Sequence, residues 1–368
     1  MARNKASPGQ PLTLHVITDL GTGGAETMLT EIALRKHRDG EGPVIASLID
    51  GGSQFKRLQA AGCDVVSLGM RRGRPGVRAL FRLARLIRDR RPAIIQSWMY
   101  HADLAALVAL WLSGRRRNTK IFWGVRCSDM DQARYGVLFR IVLRLCAWLS
   151  RSPDGIIANS HAGLDLHLSL GYRPKRAVVV HNGFDTERFR FDPGSRQRIR
   201  QSLGIDEGQF VIGTVARVDA MKDYPTLLTA IGQLEGVTAL AVGKGTEALP
   251  KSEGLIALGE RSDVVDIFSA IDVLVSASAF GEGLSNVIGE AMATGRPIVA
   301  TNVGDAAQLV GDGGIIVPPG RPDLLADAVS RLRDDQDLCV QMGASGRRRI
   351  EQEFLLSHAI KRFEETYA

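Results

Sequence analysis

A chain of 368 residues has room for two domains, and 45% hydrophobic with 24% charged residues is the composition of a folded protein, not of a disordered or fibrous one. The net charge of +7 hides a split. Residues 1–184 carry 28 Lys+Arg against 13 Asp+Glu, or +15, and the remainder carries 19 against 27, or −8. A basic half suits anionic partners, either nucleic acid or an anionic membrane surface. No zinc-finger or RNP-type motif and no aromatics interleave the arginine runs, so nucleic acid is unlikely as a partner. No apolar stretch reaches the roughly 18–20 residues of a membrane span, because Asp103, or Arg140 and Arg144, interrupt the longest ones. The polar N-terminus lacks the apolar core of a signal peptide. Cys63, Cys127, Cys146 and Cys339 form no close-spaced pair, which excludes a zinc knuckle or disulfide scaffold and points to a reducing compartment. The expected location is cytoplasmic, peripheral at the inner face of the membrane.

In chain order, Leu12–Ile17 reads as a strand, followed by the turn Gly21–Gly24 and a helix from about Ala25. Short apolar runs at 44–48, 64–68, 93–96, 120–123, 155–158 and 177–180 continue the series. Near-continuous apolar strands separated by helical patterns predict a buried parallel sheet. Two basic helices lie among them. In 77–90, Val77, Leu80, Phe81, Ala84 and Ile87 are expected on one face, with Arg78, Arg82, Arg85 and Arg88 largely off it. In 135–150, apolar residues surround Arg140 and Arg144. Either helix packs into a core with solvated arginines, or it meets a membrane surface.

A linker rich in Arg, Asp, Pro and Gly runs from Phe189 to Gln209 and includes a short helix. Strands at 210–215, 238–242, 255–258, 272–276 and 297–300 then form a second series. The economical reading is α/β: two doubly wound parallel-sheet domains facing across a cleft, with ligands at the carboxyl ends of strands. The expected division is 1–188, 189–353, and a C-terminal helix over 354–368.

Four turns carry chemistry. Gly23 and Gly24 open a helix after the first strand and allow backbone to approach a ligand, but Glu26 occupies the third position of a dinucleotide fingerprint. Arg217 and Lys222, five residues apart after a strand, can pair with a diphosphate. Gly243, beside Lys244, shapes a base or phosphate pocket, or simply a loop. Finally, Glu282-Gly283-Leu284-Ser285 precedes a helix that carries Glu290. Its backbone N–H groups suit phosphate, Glu282 suits sugar hydroxyls, and Glu290 suits a ribose diol. Two carboxylates also suit glycoside hydrolysis. Arg217 and Lys222 weigh against that reading, because hydrolysis needs no diphosphate contact.

In this order and spacing, the motifs resemble the retaining family 4 glycosyltransferases of GT-B fold over nearly the whole chain. Glu282 and Glu290 match the family's two-glutamate motif, and Arg217 and Lys222 its diphosphate-binding pair. Asn182-Gly183-Phe184-Asp185 is similar to its interdomain turn, Gly23–Glu26 to its N-terminal glycine loop, and Val303-Gly304-Asp305 to its last turn. The resemblance implies a nucleotide-diphosphate-sugar donor held by the second domain through Gly283, Leu284, Ser285, Glu290 and Gly243. It implies a glycan acceptor, lipid-linked in polysaccharide assembly, held by the first domain. It implies retention of stereochemistry, no cofactor and no metal, with Arg217 and Lys222 neutralising the leaving diphosphate and Glu282 positioning the sugar. A His frequent in relatives is Arg126 here, and arginine is no general base at neutral pH. Arg126, His101 and Asn182 are therefore the candidate acceptor contacts. Gln308 and Lys244 replace acidic residues frequent in relatives. A soluble acceptor, or nucleotide-sugar binding without transfer, are the alternatives.

Overall fold

The computed structural model describes residues 11–70, 76–128 and 136–368. The chain divides into two compact units: Met1–His181 with Ala359–Ala368, and Asn182–His358. The change-over thus comes at 181/182 and 358/359, not at 188 and 353. The reason lies in the second unit's own bonds. Asn182 Nδ2 donates to Asn286 Oδ1 at 2.6 Å. Phe184 N donates to Phe354 O at 2.8 Å, and Leu356 N donates to Phe184 O at 3.0 Å.

Unit 1 is a seven-stranded parallel sheet ordered β3-β2-β1-β4-β5-β6-β7. Its strands are β1 (Thr13–Ile17), β2 (Val44–Ile49), β3 (Asp64–Met70), β4 (Ile94–Trp98), β5 (Lys120–Val125), β6 (Gly155–Ala158) and β7 (Ala177–Val179). The connecting helices are α1 (Gly24–Arg38), α2 (Ser53–Ala60), α3 (Val77–Arg90), α4 (Tyr100–Leu112), α5 (Val137–Leu149) and α6 (His161–Ser169). Every residue of β4 is buried, the polar Gln96 and Ser97 included, as expected of a central strand in a parallel sheet covered on both faces. Alternate strand residues such as Leu14, Val16 and Ile95 join Leu83, Ile87, Leu107 and Leu110 in one core.

The sequence pattern errs on α3. Val77 and Phe81 are 57% and 60% exposed and share the solvent side with the arginines, while Ala79, Leu83, Ala84 and Ile87 make the buried face. With 3.6 residues per turn, one contiguous stripe holds the latter set, and Val77 and Phe81 fall outside it. In α5 only Val142, Leu143 and Cys146 are buried; Tyr135, at the start of the expected helix, lies outside the described residues.

Unit 2 is a six-stranded parallel sheet ordered β10-β9-β8-β11-β12-β13. Its elements are α7 (Pro193–Ser202), β8 (Phe210–Val215), α8 (Tyr224–Ile231), β9 (Val237–Val242), β10 (Leu255–Gly259), α9 (Val264–Ala270), β11 (Val273–Ser276), α10 (Asn286–Ala293), β12 (Ile298–Thr301), α11 (Ala306–Val310), β13 (Gly314–Val317), α12 (Pro322–Asp334) and α13 (Gln336–Glu353). The edge strand β13 escapes the sequence reading because only three apolar residues stand between a glycine run and two prolines.

The last helix, α14 (Leu356–Tyr367), joins unit 1 from Ala359 onward. There Lys120 Nζ donates to the carbonyls of Tyr367 at 2.9 Å and Ala368 at 2.7 Å, and Arg176 Nη1 to Thr366 O at 2.9 Å. Lys36 pairs with Glu364, and the rings of Phe363 and Tyr367 pack on Trp98 and Phe122. All four cysteines are free thiols. Among the described residues, no helix is long and apolar enough to cross a membrane.

Candidate active site

In an open parallel sheet, the strand order reverses between two neighbours, and the loops after them diverge to leave a crevice. The neighbours are β8 and β11 in unit 2, and β1 and β4 in unit 1. Most of the residues singled out from sequence follow these four strands.

In unit 2, β8 delivers Arg217 and Lys222, and β11 delivers the run from Ser278 to Ser285. Lys222 Nζ pairs with Glu282 Oε1, and both side chains are largely withdrawn from solvent, at 19% and 16% exposure. Ser278 Oγ donates to the same carboxylate oxygen at 3.2 Å. Ser278 is held in turn from its carbonyl, which accepts from Thr301 Oγ1 at 2.6 Å. Ala279 N donates to Met221 O at 2.8 Å and ties the two loops together. Arg217 is 53% exposed and donates through Nε to Asp219 Oδ2 at 3.2 Å. Burial works to raise the Asp219 carboxyl, but the Met221 N–H and the Arg217 guanidinium outweigh it and hold the pKa below its ordinary value.

Two backbone approaches close the site floor. Gly243 has φ +140°, and a β-carbon there would overlap the Ala216 carbonyl. Gly304 has φ +60°, and a β-carbon there would overlap the carbonyls of Glu282 and Gly283. Asp305 N donates to Gly283 O at 3.0 Å and fixes the turn before α10. Ser285 stands at the start of α10 without a side-chain capping hydrogen bond of its own, and a helix start directs its first-turn N–H groups towards where an anion can sit. Gly283, Leu284 and Ser285 are buried, and Glu290 is half-buried one turn beyond Asn286. Asn182 is buried and bonded to Asn286, so the structure sets it against the start of α10.

In unit 1, β1 leads to Gly23 and Gly24. The Glu26 carboxylate folds back over Gly23, into space a β-carbon would need. An anion at this helix start would meet a carboxylate already in place. After β4, Met99 adopts φ +71°, ψ +158°, a strained conformation for a side-chain-bearing residue. It places His101 in the first turn of α4, half-buried, its ring 5.9 Å from that of Phe139. Burial lowers the His101 pKa and favours the neutral ring.

Arg126 follows β5, with its guanidinium 4.1 Å from the Trp98 ring centroid. Burial pulls its pKa down to about 9, partly offset by Tyr367 and Glu26, and it remains a cation at neutral pH. Trp98 Nε1 donates to His15 Nδ1 at 3.1 Å. Burial, then Arg126 and Lys36, drive the His15 pKa down to about 3. The neutral His15 ring is the buried support behind Trp98. Beneath the same strand end, Asp103 is fully buried, accepting from Ser97 Oγ at 2.6 Å and Gly124 N at 3.4 Å. Its other oxygen has no hydrogen-bond partner among the described residues. Burial raises its pKa to about 7 against those two bonds.

Sequence reasoning missed Asp219, Ser278, His15 and Trp98. An Asp two residues from Arg217 was a readable signal. The others act by burial or across strands, which spacing does not reveal.

Two doubly wound units, each with its charged and glycine-bearing loops at the carboxyl ends of its sheet, define a GT-B architecture. Residues 22–188 match the family described as Glycosyltransferase Family 4, and residues 209–335 match Glycosyl transferases group 1. The chain belongs to this glycosyltransferase family.

Among curated relatives, the D-inositol 3-phosphate glycosyltransferase of Mycobacterium marinum is 33% identical over 177 residues, 43% of this chain and 37% of the relative. The enzyme of the same description from Mycobacterium bovis is 31% identical over 198 residues, 49% of this chain and 41% of the relative. The chain thus covers about two fifths of the length of these relatives. Among solved structures, Anabaena Alr3699/HepE in complex with UDP-glucose superposes with a TM-score of 0.84 at 23% identity, covering 96% of this chain and 99% of that one. A Rickettsia africae glycosyltransferase superposes with a TM-score of 0.79 at 18% identity, covering 97% and 98%. These likenesses establish the fold.

Proposed function

We propose that the protein transfers a sugar, with retention, from a nucleotide-diphosphate donor to a glycan acceptor carried on a lipid in cell-surface polysaccharide assembly. The observation that carries this reading is the Lys222–Glu282 pair, which joins the loop that carries Arg217 to the loop that leads into α10. A diphosphate arriving there takes Lys222, Arg217 and the α10 N–H groups. Glu282, freed from Lys222, then turns to the sugar hydroxyls, and Glu290 accepts from the ribose diol. The bond from the sugar's anomeric carbon to the diphosphate breaks while the acceptor oxygen bonds to the same face of that carbon. The departing phosphate oxygen takes the acceptor's proton. Arg217 and Lys222 stabilise the charge growing on the diphosphate, the role a metal ion fills elsewhere. Uridine is the favoured base, in line with the UDP-glucose complex of Anabaena HepE. We assign the acceptor to unit 1, at Arg126 and His101.

The relatives acting on an inositol phosphate favour a second reading, in which the Arg126 cation receives the anionic group of a soluble acceptor. Transfer in the absence of any lipid would select it.

A thermal-shift series with UDP-, GDP- and ADP-sugars tests the donor. Bound ligand at a hundred times its Kd adds about 2.7 kcal/mol of stability. The largest rise in Tm is expected with a UDP-sugar, and stabilisation by none of them overturns the reading.

A further inference from the structure

The large exposed hydrophobics are unevenly spread. Of the thirteen among the described residues, nine sit on α3, the end of α4, and α5. On α5, Val137, Leu138, Ile141, Leu145 and Trp148 are 63, 62, 47, 39 and 78% exposed. Their spacing of about one turn places them in a single stripe along the helix. The buried residues Val142, Leu143 and Cys146 occupy the opposite side, against the core. Arg140 and Arg144 are exposed one turn apart and border the stripe on its other flank. No acidic residue lies on α5 at all.

The neighbouring helices extend this surface. Val77 and Phe81 of α3 are exposed among Arg78, Arg85 and Arg88. Arg88 Nη2 donates to the Leu112 carbonyl at 3.4 Å, which sets α3 beside the exposed Trp111 and Leu112 at the end of α4. Helices that follow successive parallel strands run in the same direction, so the starts of α4 and α5 lie at the carboxyl edge of the sheet, the edge of His101 and Arg126.

We infer that this face is a lipid-binding surface: α5 lies in the plane of an anionic bilayer interface, its apolar stripe sunk among the acyl chains and its arginines on the phosphates. Three observations select a lipid surface. The exposed residues are aliphatic, with Phe81 and two tryptophans, types found on the membrane-facing side of interfacial helices. On α5 the flanking charge is of one sign, and on α3 the arginines outnumber the single acid, Asp89, which pairs with Arg85; the net positive charge is complementary to anionic headgroups. A second copy of this face would bring the same arginines against each other, a like-charge juxtaposition that opposes association. Arginines alone would give a salt-sensitive, reversible contact; the stripe makes this one an insertion. The inference deepens the reading of a lipid-linked acceptor. Its test needs no transfer, so it stands or fails apart from the donor assignment.

The test uses the full chain with vesicles of phosphatidylcholine, alone or mixed with phosphatidylglycerol, read by co-sedimentation and tryptophan fluorescence. Trp98 and Trp123 are fully buried, so a blue shift on binding reports Trp111 and Trp148. Binding should be at least about tenfold tighter with phosphatidylglycerol present, and accompanied by a blue shift. I141S/L145S should weaken binding about tenfold or more. R140Q/R144Q should weaken it less and flatten its salt dependence. W148F should remove most of the blue shift; it leaves the stripe apolar and so decides the question even where I141S/L145S unfolds. Failure to bind either vesicle, binding by I141S/L145S equal to the parent's, or vesicle-independent self-association broken by those substitutions would each overturn the inference.

Discussion

The two units build the ends of their sheets from different materials. In unit 2 the loop after β9 meets the loop after β8 at Gly243, and the loop after β12 meets the loop after β11 at Gly304, backbone against backbone, while Lys222 and Glu282 pair between the loops after β8 and β11. In unit 1 the corresponding region rests on side chains from distant parts of the chain: the buried His15, Trp98 and Asp103, and the half-buried Arg126. The first construction leaves little room for its backbone to shift, as recognition of one invariant group such as a diphosphate would require. The second stakes stability on protonation states and leaves its outer helices apolar and basic. A family that varies its acceptor while keeping its donor chemistry would place its rigidity and its adaptability in this way.

Removing a charge from unit 2 tests that contrast most severely. On the proposed reading, Lys222→Ala removes a cation from beside the leaving diphosphate, where negative charge develops. kcat should fall about 10²–10³-fold, the scale seen when one charge-stabilising donor is deleted. Substrate-free stability should change little, because Glu282 keeps Ser278 as a donor. A kcat within about threefold of the parent's would separate Lys222 from the chemistry.

In unit 1 the sensitive variable is pH. Asp103 binds its proton up to about pH 7 in the folded chain but only to its ordinary value when unfolded. Between those two values the folded state holds the extra proton, so this group makes stability fall as pH rises from about 4 to 7, with no further change above. Asp103→Asn keeps an oxygen for Ser97 and Gly124 and removes the titration. Its unfolding free energy relative to the parent should therefore increase from about pH 4 to 7 and then level off. Denaturant melts at a series of pH values measure it, and a difference that does not vary with pH would deny the raised pKa.

The same contrast explains what could be read from the sequence. Both sheets announced themselves through continuous apolar runs, because a parallel strand is buried on both faces. The candidate donor residues were legible because they are contiguous: Glu282 to Glu290 is one run, and Arg217 and Lys222 share one turn. The support for Arg126 was not legible, because His15, Trp98 and Phe363 reach it from β1, β4 and the last helix. The outer face of α3 misled for another reason. Amphipathicity tells which residues can share a face, and the partner that completes it decides which face is buried. In α3 the buried stripe is centred on Leu83 and Ile87, and two apolar residues are left outside it.

Gly289 offers the gentlest probe of unit 2's tight construction, and it leaves every charge in place. It lies on the inner side of α10, where a β-carbon would fall within the Phe184 ring. Its backbone is ordinary helix, so alanine carries no conformational penalty there and should add the better helix propensity. Any loss must come from overlap with the ring. Phe184 is itself buried and tied at both its N–H and its carbonyl, so the ring cannot withdraw without disturbing the bonds to Phe354 and Leu356. Gly289→Ala should therefore cost about 1–3 kcal/mol, the usual range for overpacking a filled interior. Phe184→Leu, which removes the overlapping ring edge, should cost stability alone and recover part of the loss in combination. A double-mutant cycle on denaturant midpoints reads that coupling directly. Costs that simply add would show that α10 moves as a body to relieve the contact. In that case donor affinity, set by the start of the same helix, should drop in step with stability; a recovered pair should restore both.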